Sequence, residues 1–325
     1  MREITYSQAM AEGMMEALDR DERIILIGAG YGGLTEARRA FDRLRRDYAS
    51  RILIPPISEL GYCGIAIGAA MTGLRPMVGV GTGSFIFEAF PQVINEAPQA
   101  YYNSAGQVTV PVVFHMYTGI RGAGAVQHSG SPQSMFWNVP GLQIICPGSP
   151  ADVKGLVKTA MLRSMNPTIF IDHTLLLPQT GPVPEEEYEI PFGQAAVPRE
   201  GSDVTIVAVG IMVGRALEAA ERLAREDGIA CEVVDPRTLV PLDKAAILAS
   251  VRKTGRAVVA DESQRSCGVA SELAAILAEE GFHYLKAPVK RVAIPNVPII
   301  YAKTSEEAIT PTADTIVAAV RSITR

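Results

Sequence analysis

The chain has little cysteine, and its cysteines form no recognisable pairs. The four, Cys63, Cys146, Cys231 and Cys267, are scattered without the spacing of metal ligands. Three of them lie in apolar or small-residue surroundings. We therefore expect reduced thiols in a cytoplasmic protein, and no metal site built from the residues of this chain.

Long apolar runs and basic clusters are also missing. Although 48% of the residues are hydrophobic, no run approaches the roughly 18 residues of a membrane span. Residues 1–6 carry charges and no apolar core, so we expect no secretory signal. A formal net charge of −5 without a basic cluster argues against a nucleic-acid partner. At 325 residues, the chain is long enough for two domains.

The most informative stretch that is present is 54–61. The aliphatic run before it, at 51–54, predicts a short buried strand, and the two prolines that follow end the strand because neither has an N–H to donate. A nearly apolar helix follows over 64–71, and we expect it to be buried.

Glu59 lies between this strand and this helix. The C-terminal edge of the strands is where ligands bind in α/β folds. A carboxyl partly removed from water is suited to proton transfer near neutral pH. Acidic residues also gather in the first turns of helices because of the helix dipole, so the spacing alone leaves a capping role equally open.

A glycine pattern earlier in the chain resembles a nucleotide-binding fingerprint. Gly28, Gly30 and Gly33 stand between a predicted strand at 23–27 and a charged helix at about 34–48. Glu59 lies 31 residues beyond Gly28, however, which is farther than the ~20 residues usual for the ribose-binding acid. Nicotinamide or flavin binding is therefore the weaker interpretation of this loop.

The stretch around Glu59 closely resembles a known family. Pro-Ile-Ser-Glu at 56–59, with the glycine-rich segment 64–76, is similar to the β subunit of the thiamine-diphosphate-dependent 2-oxo acid dehydrogenases, which act on pyruvate, branched-chain 2-oxo acids or acetoin. The resemblance implies that Glu59 bonds N1′ of the cofactor's aminopyrimidine ring. It also implies that Phe85 packs on that ring, while Ile57 and Leu60 line its pocket.

A loop rich in glycine and alanine leads to His128. A histidine at the end of such a loop is well placed for general acid–base work, although most loop histidines are bystanders. The triplet Gln-His-Ser at 127–129 matches the active-site histidine of the family. The resemblance thus implies that His128 orients or protonates the reacting group, or assists transfer to a lipoyl group.

Four positions depart from the family pattern. Ala29, Gly30, Gly79 and Ser84 stand where the family commonly carries acids that line a tunnel between paired active sites. We expect any proton relay between sites to be weakened here, or carried by other residues.

The second half of the chain predicts the fold class. After a proline-rich linker, strands and helices alternate from residue 204 to the C-terminus, which indicates a doubly wound parallel sheet. We therefore predict an α/β protein with two doubly wound, mostly parallel sheets. The first belongs to a pyrimidine-binding domain at 1–180, the linker spans 181–202, and a C-terminal transketolase-type domain covers 203–325.

The sequence contains no Gly-Asp-Gly motif, with which the family holds Mg²⁺ and the cofactor's diphosphate. The resemblance therefore implies an α subunit that supplies that half of the site in an α2β2 heterotetramer. It implies a 2-oxo acid or acetoin as substrate and a dihydrolipoyl acyltransferase core as acceptor. The net charge and the lack of long apolar runs predict no nucleic-acid or membrane partner. A structural potassium ion on carbonyls near 163–166 is possible, although this turn is one residue longer than in the family.

Two alternatives remain open. A divergent two-subunit transketolase-like or carboligating enzyme, without a lipoyl acceptor, is compatible with the lost acids. A non-catalytic scaffold for the α partner belongs to a different class, and the retention of both Glu59 and His128 speaks against it.

Overall fold

The computed structural model describes residues 1–28 and 39–324. The loop with Ala29 and Gly30 and the first part of the helix predicted at 34–48 lie outside the described residues. The chain divides into two units. The first comprises Met1–Gly119 and Gln127–Phe192, and the second comprises Ile120–Val126 and Gly193–Arg325. The domain boundaries expected at 180 and 203 stay a prediction.

The strands of the first unit are short and mostly buried. They are β1 (Arg2–Thr5), β2 (Ile24–Ile27), β3 (Ile52–Leu53), β4 (Arg75–Thr82), β5 (Val113–Thr118), β6 (Gln143–Ile145), β7 (Thr168–His173) and β8 (Thr180–Val183). Six of them form a parallel sheet with the order β6-β7-β5-β4-β2-β3. Strands β1 and β8 form a separate antiparallel pair, so the start of the predicted linker is a paired strand.

The helices around this sheet begin in different ways, and only some of them have a side-chain cap. They are α1 (Tyr6–Arg20), α2 (Asp42–Asp47), α3 (Glu59–Met71), α4 (Ala97–Asn103), α5 (Ala125–His128), α6 (Gln133–Trp137) and α7 (Pro150–Leu162). Thr5 starts α1 with a reciprocal capping box to Gln8. Ser149 caps α7, and its proline occupies the first turn, where a missing N–H costs nothing.

Helices α1 and α7 pack closely because Gly13 lies at their contact. A Cβ added at Gly13 would lie 2.6 Å from the carbonyl oxygen of Lys154. The side chains of Lys154 and Lys158 are fully buried, and each forms an ion pair with Glu16, at 2.9 and 2.6 Å. The helix pair is thus closed by charges that are paired within the chain.

A buried polar network joins β5, β7 and α1. His115 Nε2 lies 2.8 Å from Asp172 Oδ2, and the Tyr6 hydroxyl donates to the other oxygen of the same carboxylate. Burial and the nearby Asp172 raise the pKa of the Tyr6 phenol well above its usual value. His115 is almost fully buried in this network, so its role is structural.

The second unit is a five-stranded sheet with helices between its strands. The strands of this unit are β9 (Ala196–Arg199), β10 (Val204–Ala208), β11 (Cys231–Asp235), β12 (Thr238–Val240), β13 (Ala257–Gln264) and β14 (Lys290–Ile294). All of them except β12 form the five-stranded sheet, in the order β14-β13-β10-β11-β9. The helices are α8 (Met212–Asp227), α9 (Lys244–Thr254), α10 (Val269–Glu279), α11 (Lys303–Ile309) and α12 (Ala313–Thr324).

Only β9 runs antiparallel in this sheet, against β11. The predicted class, α/β with two mostly parallel sheets, is confirmed. Part of the segment expected as a linker forms β9 and pairs with the second sheet, because its extended backbone can complete the hydrogen bonding of the edge strand. Across the described ranges, no helix is both long and apolar enough to cross a bilayer.

Candidate active site

The three main site residues follow the C-terminal ends of strands in one parallel sheet. Glu59 comes after β3, Phe85 after β4 and His128 after β5. Parallel strands end at the same edge of a sheet, so their following loops share that edge. The topology therefore brings together residues that are far apart in the sequence.

Glu59 is the first residue of α3. Ser58 caps this helix, because its hydroxyl accepts a hydrogen bond from the Gly61 amide at 3.3 Å. The capping function is thus carried by Ser58, which leaves the half-buried Glu59 carboxylate available for another role. Burial and, after it, the charge of Glu59 raise the pKa of the Cys63 thiol to about 12.

One side of α3 is exposed in this chain, so the prediction that the helix is buried is wrong for that side. Leu60, Gly64, Gly68 and Met71 are exposed and recur every three to four residues, which places them on one stripe. A Cβ added at Gly68 would meet no atom within 4 Å. Nothing within the described part of this unit covers the stripe, although the helix is apolar almost all round.

Ile57 and Leu60 are also exposed, at 79% and 53%. Exposed aliphatic side chains beside a carboxylate offer an apolar surface to whatever binds there. These two residues therefore flank Glu59 in the sequence without forming a closed pocket among the residues of this unit.

Phe85 and His128 lie in direct contact. Their ring centroids are 5.4 Å apart and their planes are inclined by 76°, an edge-to-face arrangement. Phe85 belongs to a 3₁₀ segment, Gly83–Ala89, that packs against α3. Glu59, Phe85 and His128 are thus linked through one helix, one 3₁₀ segment and one ring contact.

Two glycines allow the Phe85 and His128 segments to approach each other. A Cβ at Gly83 would lie 2.7 Å from Thr118 Cγ2, and a Cβ at Gly130 would lie 2.5 Å from Ser84 Oγ. Sequence reasoning did not identify these residues as positioning groups. A glycine directly after a strand, followed two residues later by an aromatic residue, was the available signal.

The loop before His128 contacts a second histidine. Gly119 has φ +93°, and a Cβ there would lie 1.8 Å from His173 Nε2, so this position admits only glycine. His173 Nδ1 accepts a hydrogen bond from the Leu175 amide at 3.1 Å. This contact gives His173 a structural role.

The residues near Glu59 fit the pyrimidine end of thiamine diphosphate. A partly exposed carboxylate is suited to a ring nitrogen, and the Phe85 ring supplies a flat apolar surface in the same unit. The described residues offer no such fit to a metal ion, because no group of three or more His, Cys, Asp or Glu side chains in these ranges could hold one.

The turn considered for potassium is occupied by an arginine. Arg75 is 5% exposed, and it donates to the carbonyl oxygens of Met161 and Ser164 at 2.6 Å each. The Ser164 hydroxyl donates to the Asn166 carbonyl at 2.7 Å. Two unit positive charges 4 Å apart repel by roughly 4 kcal/mol at an intermediate dielectric constant, so a guanidinium on these carbonyls disfavours a cation. The residues of this turn do not fit a potassium site.

Comparison with known families assigns both halves of the chain. Residues 2–180 match the transketolase pyrimidine-binding domain, and residues 193–316 match the transketolase C-terminal domain.

Full-length relatives agree with these matches. The β subunit of acetoin:2,6-dichlorophenolindophenol oxidoreductase from Bacillus subtilis is 39% identical, over 97% of this chain and 96% of the relative. The pyruvate dehydrogenase E1 component subunit β from Rickettsia conorii is 38% identical, over 99% and 98%. Among solved structures, a split-gene transketolase described as an inactive β4 tetramer has a TM-score of 0.80 and 26% identity, over 99% of both chains.

Proposed function

The chain belongs to the transketolase-type family of thiamine-diphosphate-dependent 2-oxo acid and acetoin dehydrogenase β subunits, and on that premise we propose that it forms half of a shared active site with Glu59 at its centre. The single observation that carries this proposal is the placement of Glu59, Phe85 and His128 at one edge of one parallel sheet. A non-catalytic scaffold would need none of these side chains.

Glu59 holds and moves a proton at N1′ of the aminopyrimidine. Its carboxylate stands at the start of α3, where Ser58 already satisfies the helix cap. It bonds to the Tyr62 side chain, and a carboxylate keeps further acceptor sites for a group such as a ring nitrogen. When bound, thiamine diphosphate supplies the nucleophilic carbon and the electron sink for cleavage next to a carbonyl. Glu59 would enable that chemistry without itself bonding to the substrate.

Phe85 supplies the surface on which the pyrimidine ring rests, with Ile57 and Leu60 lining the same pocket. The Phe85 edge-to-face contact fixes the His128 imidazole, whose function we assign to general acid–base work on the substrate or on acyl transfer. A histidine held by an aromatic ring is better oriented than one at a free loop end.

We propose that an α subunit covers the exposed stripe of α3 in an α2β2 assembly. An apolar helix face exposed in one chain is typical of a protein–protein interface, and Gly64 and Gly68 would let a partner helix approach closely. The α subunit would also hold Mg²⁺ and the diphosphate, for which this sequence has no Gly-Asp-Gly motif. A structural potassium ion is not part of the proposal, because Arg75 already binds the carbonyls.

The substrate we propose is a 2-oxo acid or acetoin, and the acceptor is a lipoyl group on an acyltransferase core. One observation favours a second candidate. The likeness to a split-gene transketolase, together with Gly79 and Ser84 in place of acids, suits a carboligating enzyme without a lipoyl acceptor. No disulfide joins Cys63, Cys146, Cys231 and Cys267, which all lie in the described ranges, and this supports the proposal of a cytoplasmic protein.

The deciding experiment is Glu59→Gln in the complex co-purified with its α partner. We expect turnover of pyruvate, branched-chain 2-oxo acids or acetoin to fall on the order of 100- to 10,000-fold, because the amide cannot exchange a proton with the ring. Glu22→Gln, at an exposed position, is the control. Undiminished turnover of the Glu59→Gln complex would end the proposed role. Adding a lipoyl domain separates the two enzymes, since an absence of acyl transfer favours the carboligase.

A further inference from the structure

The loop that leads to His128 is bound by two acids of the second unit. Residues 120–126 belong to that unit, whereas His128 belongs to the first. The Ile120 amide donates to Glu262 Oε1 at 2.8 Å, and the Ala123 amide donates to Glu306 Oε2 at 2.7 Å. Hydrogen bonds from backbone amides to carboxylates are stronger than neutral ones, so these two contacts hold the loop firmly.

Both acids are almost fully buried. Glu262 is 3% exposed and lies on β13, and its second oxygen accepts from Arg215 Nη1 at 2.6 Å. Glu306 is 2% exposed and lies on α11. Its other oxygen, Oε1, has no hydrogen-bond partner in the described part of the chain. A buried carboxylate oxygen without a hydrogen bond lowers the free energy of unfolding. The presence of Glu306 at this position is therefore explained by what its other oxygen binds.

The loop has an unfavourable backbone at the second contact and just after it. Ala123 and Ala125 have φ values of +56° and +52°, a region that a Cβ makes costly for any residue but glycine. Residues held in this region persist only where the surroundings determine them, and they cluster at functional sites. The Glu306 contact is made by the Ala123 amide itself, at the first strained residue.

An apolar contact reinforces this end of the loop. Ile120 is 4% exposed and packs with Ile294 and Ile299, and Ile309 of α11 packs against the same cluster. The helix that carries Glu306 is therefore tied to the loop at Ile120 as well as at Ala123. Three residues after Ala125, the short helix α5 ends at His128.

We propose that Glu262 and Glu306 are positioning residues for His128: they hold the Ile120 and Ala123 amides and so keep the strained loop in the conformation that presents the histidine. This inference rests on the function proposed above for His128. Neither acid touches the substrate, and each acts through the backbone of the loop. Glu306 is the cleaner probe, because Glu262 also binds Arg215.

The test compares Glu306→Ala with Glu307→Ala in the complex with the α partner. Glu307 is the next residue of α11, is exposed and faces Lys303 at 3.9 Å, so its loss should change little. We expect Glu306→Ala to lower kcat roughly 10- to 100-fold, with KM changed much less, because a small misplacement of a catalytic group has effects of this size. Amide hydrogen exchange of the peptide 118–128 should become faster, and Glu306→Gln, which keeps an acceptor oxygen, should recover most of both properties.

The proposal is overturned if Glu306→Ala keeps kcat within about twofold of the unmodified complex, or if kcat falls while exchange at 118–128 is unchanged. If Glu306→Ala does not fold, Glu306→Asp withdraws the carboxylate by one methylene and is tested in the same way. His128→Ala is measured in parallel. Full turnover of that variant would refute the function proposed for the histidine, whereas the exchange data would still report whether Glu306 holds the loop.

Discussion

Two helices of the first unit reverse the usual relation between composition and burial. Helix α7 carries two lysines and an aspartate, yet every position from 152 to 161 is buried. Helix α3 has a single charged side chain, Glu59, yet one of its sides is exposed. The lysines are buried because Glu16 pairs with them, whereas the apolar stripe of α3 has no partner among the described residues of its own unit.

The difference teaches that burial follows the available partners more than the hydrophobicity of a helix. A helix pair whose charges are paired within the chain needs no further partner. An apolar helix with one exposed side, next to the candidate site, can be covered by a second subunit. The following predictions test whether the charges of α7 are satisfied within the chain and whether the exposed side of α3 binds a second subunit.

The largest expected effect on stability is at Glu16. Glu16→Gln leaves Lys154 and Lys158 buried without the carboxylate they share, and it should lower the free energy of unfolding by about 3–5 kcal/mol. Glu59→Gln should change it by less than about 0.5 kcal/mol, because Glu59 is only half-buried and its amide replacement keeps the shape of the side chain. Urea unfolding of the two variants checks this, and equal losses would contradict the contrast between the helices.

Arg75 binds carbonyl oxygens at the C-terminal end of α7, and its removal should have the next largest effect on stability. Arg75→Met leaves the buried carbonyls of Met161 and Ser164 without their donor, at a cost of about 2–3 kcal/mol. The control is Arg163→Met, because Arg163 belongs to the turn that Arg75 binds but has an exposed side chain. The unmodified chain should have the same Tm in potassium and sodium chloride, and a higher Tm in potassium alone would restore the cation site that we reject.

The same substitution at two glycines should have opposite effects. Gly13→Ala drives a Cβ to 2.6 Å from the Lys154 carbonyl oxygen and should cost about 2 kcal/mol, measured by urea unfolding. In Gly68→Ala the added Cβ meets no atom of the described residues within 4 Å, and the substitution should stabilise the chain by roughly 0.5–1 kcal/mol through helix propensity. Gly68→Ala should also weaken binding of the α subunit in a titration, and unchanged binding would remove the stripe from the interface.

The last prediction concerns the buried thiols, whose effect on stability is absent at neutral pH. Burial raises the pKa of Cys63 and of Cys231 to about 12, from an ordinary value of 9.0. Between these values the unfolded chain loses the proton while the folded chain keeps it, so stability is complete below pH 9 and falls as the pH rises toward 12. The slope should be at most about 1.4 kcal/mol per pH unit for each thiol. Measurements of Tm against pH check it, with Cys63→Ala expected to reduce the slope.

The local pattern predicted most elements of the fold. The strand expected at 23–27 is β2, the strand expected at 51–54 contains β3, and the helix expected at 64–71 lies within α3. These elements follow from hydrophobic periodicity and from capping residues, which are local in the chain. The exposed side of α3 could not be predicted, because it depends on what is missing from the rest of the unit.

The candidate site was predictable as residues but not as an arrangement. Glu59, Phe85 and His128 were identified from motifs, and their roles stay predictions. Their neighbours could not be found in this way. The contacts of Ile120 with Glu262 and of Ala123 with Glu306 join residues 142 and 183 positions apart. No periodicity or spacing connects such distant positions.

What the amino-acid order decided was the α/β class and the sequence of strands and helices, because propensity, capping and periodicity act over a few residues. The acid and the histidine were indicated by the resemblance of their local motifs to those of a known family. What only the folded chain decided was which charges are sealed inside, which apolar helix stays open and which acids hold the histidine loop. Those outcomes depend on distant segments meeting at one edge of a sheet, where partners are set by topology and packing.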